Sequence, residues 1–177
     1  MATNNQINSP LDDTTGTGSF VGSASPAFTG TPTLNGYALA PITPWVAYTP
    51  TFTGFGTVSG VEFYSRRVGD VLQIRGVFAS GTSTGVQAEV TLGFNGTNAN
   101  VSSSGTVLTA LEYCGTAGYN QAASLFITLL VASSSGFFSF GIQNASRAGY
   151  TPVTGTTLAA SGQIFSVQAD IPVTTWP

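Results

Sequence analysis

Histidine and lysine are absent from this chain, and cysteine occurs once, as Cys114. Each absence removes a class of chemistry. General acid–base catalysis most often recruits His. A catalytic Cys114 would need a base and an electropositive site beside it, so the residue reads as a small buried thiol. One cysteine excludes an intrachain disulfide, so stability owes nothing to an oxidising compartment and the fold suits the cytosol. Charged residues make up 6% of the 177 positions, against about 25% in ordinary domains. The cations are Arg66, Arg67, Arg75 and Arg147. Four arginines on an acidic chain cannot build a phosphate-neutralising face, which argues against nucleic acid as a partner. The longest apolar run, Leu125 to Ala132, falls far short of the roughly 20 residues that cross a bilayer, so no membrane insertion is expected. Met1 to Pro10 is polar and lacks the basic start and apolar run of a signal peptide.

The acidic residues are equally sparse: Asp12, Asp13, Glu62, Asp70, Glu89, Glu112 and Asp170, for a net charge of −3. Glycoside cleavage needs two carboxylates facing one bond, and no recognisable pair stands out. Asp12 and Asp13 point apart in an extended chain, and no loop supplies the 6–8 or so oxygens that calcium takes. The Gly-rich run from Thr14 to Gly18 lacks the Gly-Lys-Ser/Thr ending of a phosphate loop and reads as a turn. Asn100-Val101-Ser102 fits the glycosylation triplet, but without a secretory signal the match carries no meaning. The chain is therefore read as a non-enzyme without cofactor or metal.

What the chain has in abundance is short alternating apolar runs separated by turn residues, beginning at Trp45. Val61–Val68 and Val71–Ser80 flank Gly69-Asp70, a tight-hairpin signal. In the second run Leu72, Ile74 and Phe78 share one face with Gly76. Val86, Ala88, Val90 and Leu92 are expected to point inward, as are Phe138, Phe140 and Ile142. Phe165, Val167, Ala169 and Ile171 alternate with Ser166, Gln168 and Asp170. Thr106–Tyr113 is a further strand candidate. Ser124–Ala132 is apolar on both faces, which predicts a central strand or an oligomer interface. No stretch carries helical spacing. The fold class is all-β: a single β-sandwich of seven or eight strands, jelly-roll-like, over residues 45–177. Arg66 and Arg67 face opposite ways on their strand, so one of them needs a local carboxylate in a structural ion pair. The tyrosines and tryptophans read mainly as core or interface anchors, and a saccharide platform among them cannot be placed from sequence.

Residues 1–44 differ. Five of the nine prolines lie there, and the segment has no core periodicity. Phe20, Val21, Phe28, Leu34 and Tyr37 are spaced anchors in a polar arm, which predicts an extended segment docked on another surface. Residues 26–34 (PAFTGTPTL) echo residues 50–58 (PTFTGFGTV), each reading as an extended Pro-x-Phe-Thr followed by a Gly turn. A surface so poor in charge offers little repulsion against association. That favours a homo-oligomer over a neutral, Thr/Ser-coated monomer.

Two stretches carry a resemblance. Thr15, Gly16, Gly18, Phe20, Val21, Ser25, Pro26, Phe28, Pro32 and Leu34 form a pattern that resembles a segment of tail-fibre and fibre-like proteins of tailed bacteriophages. Residues 45–84, with Tyr48-Thr49-Pro50-Thr51-Phe52, Arg67-Val68-Gly69-Asp70 and Arg75-Gly76, are similar to a β-domain of phage structural proteins. The resemblance implies a virion-surface protein, folded in host cytoplasm, whose arm docks on capsid or tail/neck proteins and whose β-domain forms a homotrimer. The chain has no repeated shaft and no coiled coil, which leaves a short fibre or a capsid decoration (cement) protein. The alternative is a host-glycan-binding receptor-recognition module.

Overall fold

The computed structural model describes residues 33–34, 37–38, 40–104, 112–119, 127–131, 135–143, 150–158 and 161–177. The chain divides into two compact units, Met1–Leu39 and Ala40–Pro177. In the first, β1 (Thr33–Leu34) and β2 (Tyr37–Ala38) form an antiparallel pair with Leu34 opposite Tyr37. The other arm anchors, Phe20, Val21 and Phe28, lie outside the described residues, as does the first copy of the nine-residue echo up to Pro32.

The second unit is built from β3 (Val46–Tyr48), β4 (Phe52–Thr53), β5 (Ser59–Val68), β6 (Val71–Ala79), β7 (Glu89–Thr91), β8 (Gly93–Phe94), β9 (Thr97–Asn98), β10 (Glu112–Tyr119), β11 (Ile127–Val131), β12 (Phe137–Gln143), β13 (Tyr150–Pro152) and β14 (Ile164–Pro172). A single helical turn, α1 (Gly155–Leu158), precedes β14. The main sheet runs β3-β5-β6-β14-β10-β11-β12-β7-β4, with β13 beside β12, and β8 and β9 form a separate ribbon. All of these pairings are antiparallel.

Turn chemistry sets the register. Gly69 takes φ +63° at the first position of the β5–β6 loop, the value a type II′ turn demands there, and Val68 pairs Val71 across it. Asn95 and Gly96 both take positive φ between Phe94 and Thr97, as in a type I′ turn. With the β5–β6 register fixed, Gly76 falls opposite Phe63. A Cβ at Gly76 would sit 2.5 Å from Cγ of Phe63, so glycine is what lets that ring lie on the strand backbone. The second copy of the echo folds as its sequence predicts: β4 is extended and Gly54 turns the chain at φ +84°.

The sheet rolls over so that its inward faces meet. Phe78 on β6 stacks on Phe165 of β14 at 4.9 Å and lies 6.5 Å from Phe140 on β12, four strands along the sheet from β6. Phe55, carried on the loop after β4, fills the middle, with Phe78, Phe140 and Phe165 at 4.9, 5.1 and 5.3 Å. The result is the expected all-β, sandwich-like fold around an aromatic core. Leu72, Ile74 and Phe78 are buried, as are Phe165, Val167, Ala169 and Ile171, while Ser166, Gln168 and Asp170 face out.

Three expectations change. Val86 is 55% exposed because the strand does not begin until Glu89, although Ala88, Val90 and Leu92 are buried. Ile142 keeps the phase of Phe138 and Phe140 but is 42% exposed, lying opposite Thr151 where β12 runs past the core. Of the strand expected over Thr106–Tyr113, residues 106–111 lie outside the described residues, while Glu112 and Tyr113 open β10, which continues through Cys114. Residues 41–43 join the body's sheet: Gly69 donates its N–H to the Pro41 carbonyl (2.9 Å), and Thr43 donates to the Arg67 carbonyl (3.0 Å). The strand within Ser124–Ala132, β11, lies between β10 and β12, a central place in the sheet.

Candidate functional site

Among the described residues the carboxylates fall in separate places. Asp70 sits in the β5–β6 turn, 3.6 Å from Arg67, with its side chain 89% exposed; a pair so open to water contributes about 0–1 kcal/mol. Glu62 and Asp170 project from β5 and β14 into solvent, and Glu112 opens β10. Glu89 on β7 is half-buried, and loss of hydration raises its pKa. Cys114 is buried, and its thiol is pushed up to about 12, chiefly by desolvation and then by the charge of Asp170. That thiol is a poor nucleophile. Among the described residues no group of three or more His, Cys, Asp or Glu could hold a metal ion.

The aromatic residues divide into inner and outer sets. Tyr48 is a core residue packed edge-on against Phe63, and Tyr119 stacks on Phe165. Trp176 packs on Phe94 and takes the Arg67 guanidinium over its ring at 4.5 Å. Arg67 also donates from Nε to the Gly69 carbonyl (2.6 Å), so this arginine fastens the hairpin turn to the C-terminal segment. Tyr64 and Tyr113, by contrast, are 44% and 53% exposed.

The outward face of β5, β6, β14 and β10 gathers the remaining polar chemistry. Antiparallel register aligns Tyr64, Arg75, Gln168 and Thr116 in one row across the four strands. Outward residues at the same level of neighbouring strands stand side by side. Trp45, just before β3, takes two guanidinium groups against its ring: Arg66 at 4.7 Å and Arg75 at 5.2 Å from the centroid. Arg66 also donates from Nε to Gln73 Oε1 at 2.8 Å. Each cation over an indole gains about 0.5–1 kcal/mol at an exposed site. The structural ion pair expected of the Arg66-Arg67 dipeptide is therefore found at Arg67, while Arg66 rests on an indole and an amide.

Two adjoining hollows run along this face. One, of about 550 Å³, is lined by Arg75, Gly76, Thr116, Gly118, Ser166 and Gln168, among others. The other, of about 300 Å³, continues past the same Thr116 and Gln168 to Tyr113 and Asp170. Gly118 presents no side chain and Gly76 gives its inner face to Phe63, which keeps the floor of the trough low. A bulge between Tyr113 and Gly115 shifts the register of β10 against β11, and Tyr113 stands at the end of the trough. In the sequence Trp45, Tyr64 and Arg75 stand apart, with nothing in their spacing to join them. The signal that unites them is the two-residue hairpin, whose register sets Tyr64 opposite Arg75. No family model matches the chain, and neither a curated protein nor a solved structure is significantly similar to it.

Proposed function

We propose that this chain is a structural protein of the virion surface of a tailed phage, a short fibre or capsid decoration, attached through its arm and displaying a homotrimeric β-domain. The observation that carries the reading is the division at residues 39 and 40 between a segment bearing the fibre-like motif of residues 15–34 and an all-β body. Low charge supports the trimer, because neutral polar surfaces resist association weakly. So does β11, a strand whose sequence is apolar in both phases and which lies between β10 and β12. Two measurements test the proposal. Light scattering of the full chain should give three times the 18.1 kDa protomer mass, and a mass of one protomer would refute the trimer. Mass spectrometry of purified virions should find the chain as a component. Hundreds of copies mean decoration, about a dozen mean fibre, and its absence refutes the virion assignment. A second reading, recognition of host glycan, draws support from the exposed Tyr64 and Tyr113 flanking the polar trough.

A further inference from the structure

The trough has a charge pattern that narrows its ligand. Arg66 and Arg75 both stand on its β5–β6 side, and among the described residues the ion pair within 4.0 Å is the one at Arg67 and Asp70. Two guanidinium groups on a chain of net charge −3 thus face outward from an indole, not from a carboxylate. Both groups lie over the Trp45 ring, and Arg66 gives its Nε–H to Gln73 Oε1, which leaves the terminal guanidinium N–H groups for a ligand. A guanidinium edge is shaped to hold a carboxylate through paired N–H donors. The other end of the trough carries Asp170, an acceptor able to take two hydroxyl groups, and Tyr113, an exposed ring. Between them lie Gln168, with a donor and an acceptor, and the hydroxyls of Thr116 and Ser166. Neighbouring strands stand about 4.8 Å apart, so a ligand crossing from Arg75 on β6 to Tyr113 on β10 spans about 10 Å or more. Alternating donors and acceptors on a flat floor, an aromatic ring at either end and cations at one end match a short chain of hydroxylated rings carrying carboxylates.

We propose that the outward face of β5, β6, β14 and β10 binds an acidic oligosaccharide, its carboxylate held by Arg75 and Arg66 and its sugar hydroxyls by Gln168, Thr116 and Asp170. The proposal rests on the glycan reading of this chain and is independent of whether the protein is part of a virion. Charge complementarity selects the acidic class over neutral sugars. The separate acceptors along the trough select a saccharide over a plain anion.

The test is a calorimetric and NMR titration of the full chain with three probes: galacturonate trimers, the same trimers fully methyl-esterified, and a short polyglutamate peptide. The acid trimer should bind, and its ester should bind about tenfold or more weakly, since esterification removes only the charge that Arg75 meets. Arg75→Gln should erase that difference between acid and ester, Arg75→Lys should restore part of it, and Gln168→Ala should weaken both forms alike. Amide shifts should fall on β6, β14 and β10. Each variant's melting curve, matched to the parent's, separates a lost contact from a lost fold. Equal binding of acid and ester would overturn the acidic class while leaving glycan recognition standing. Equal binding of polyglutamate would show a plain anion site and overturn the saccharide. No binding of any probe at millimolar concentration would overturn both. A change of oligomeric mass in Tyr64→Ala would assign this face to a second copy of the chain, which also overturns the proposal.

Discussion

Phe55→Ala is the substitution from which most follows. Phe55 belongs to no strand, yet it is fully buried and touches the rings of Phe52, Phe78, Phe140 and Phe165 at 6.4, 4.9, 5.1 and 5.3 Å. The last three belong to strands fixed by continuous ladders, and Phe78 pairs Phe165 directly. Those neighbours cannot close over a missing ring. Truncation of a buried Phe costs about 3–5 kcal/mol, the larger values belonging to sites that do not collapse, so about 4–5 kcal/mol is expected here. Against a typical domain stability of about 5–15 kcal/mol this is a large share. For a body of this size, each kcal/mol lowers the melting temperature by roughly 3–5 °C, so the drop should be about 12–25 °C. The loop backbone makes its own bonds, Gly81 N–H to the Phe55 carbonyl and Thr84 N–H to the Gly54 carbonyl, and keeps them in the variant. The loss is thus one of packing, and Phe55→Leu, which retains most of the volume, should cost less than about 1.5 kcal/mol. Thermal melting by circular dichroism of the two variants beside the parent decides the matter. A drop of only a few degrees for Phe55→Ala, or equal drops for both, would refute a core organised on this residue.

Other consequences are as direct. Gly76→Ala places a methyl into the Phe63 ring and should destabilise by about 1–3 kcal/mol; an unchanged chemical-denaturation midpoint would contradict that ring placement. Cys114, buried with its pKa near 12, should resist iodoacetamide at pH 8 and react once unfolded; rapid labelling of the native chain would show the thiol open. Burial raises the Glu89 pKa above its unfolded value, so the native state binds the proton more tightly. Stability should therefore fall as pH rises from the ordinary Glu range through the higher folded pKa. Glu89→Gln should flatten that slope and melt higher than the parent at pH 7; a lower melting temperature at pH 7 would sink the argument. A chain starting at Ala40 should keep its β-sheet circular dichroism and fail to incorporate into particles. Starting instead at Trp45 would remove the bonds of Pro41 and Thr43 to the end of β5 and should fray the β5–β6 hairpin.

The long alternating strands were legible because each has one face in the core and one in water. In β14, Phe165, Val167, Ala169 and Ile171 repeat every second residue without exception, and all four are buried. Period two says nothing of short elements, which is why β8, β9 and β13 were not foreseen: two or three residues cannot show a period. Phe55 was illegible for the same reason, since its burial is decided by where the loop is pinned. The Asn95-Gly96 turn is a two-residue hairpin signal in the sequence, and both residues take the positive φ it implies. Val86 failed differently. Its spacing matched Ala88, Val90 and Leu92, but the backbone there bonds across a loop, with Gly155 donating to the Val86 carbonyl, and this releases the side chain to solvent.

The trough was half legible. Gly69-Asp70 between two alternating runs fixes Val68 opposite Val71, and counting back from that pair sets Tyr64 beside Arg75 and Arg66 beside Gln73. Sequence therefore contains the β5–β6 part of the face. It does not contain the partnership with β14 and β10, which lie about 40 to 90 residues further along the chain and are chosen by the rolled core. That division has a physical consequence for the function. The cation-bearing strands depend on a local turn, whereas Gln168, Thr116 and Asp170 reach the same face only when Phe78 and Phe165 stack and bring β14 against β6. A variant that loosens the stack should therefore lose the saccharide contacts of β14 and β10 while the guanidinium pair on Trp45 persists. Affinity for the polar trough and the packing of the aromatic core should fall together, because one stacked pair of rings sets the register of both.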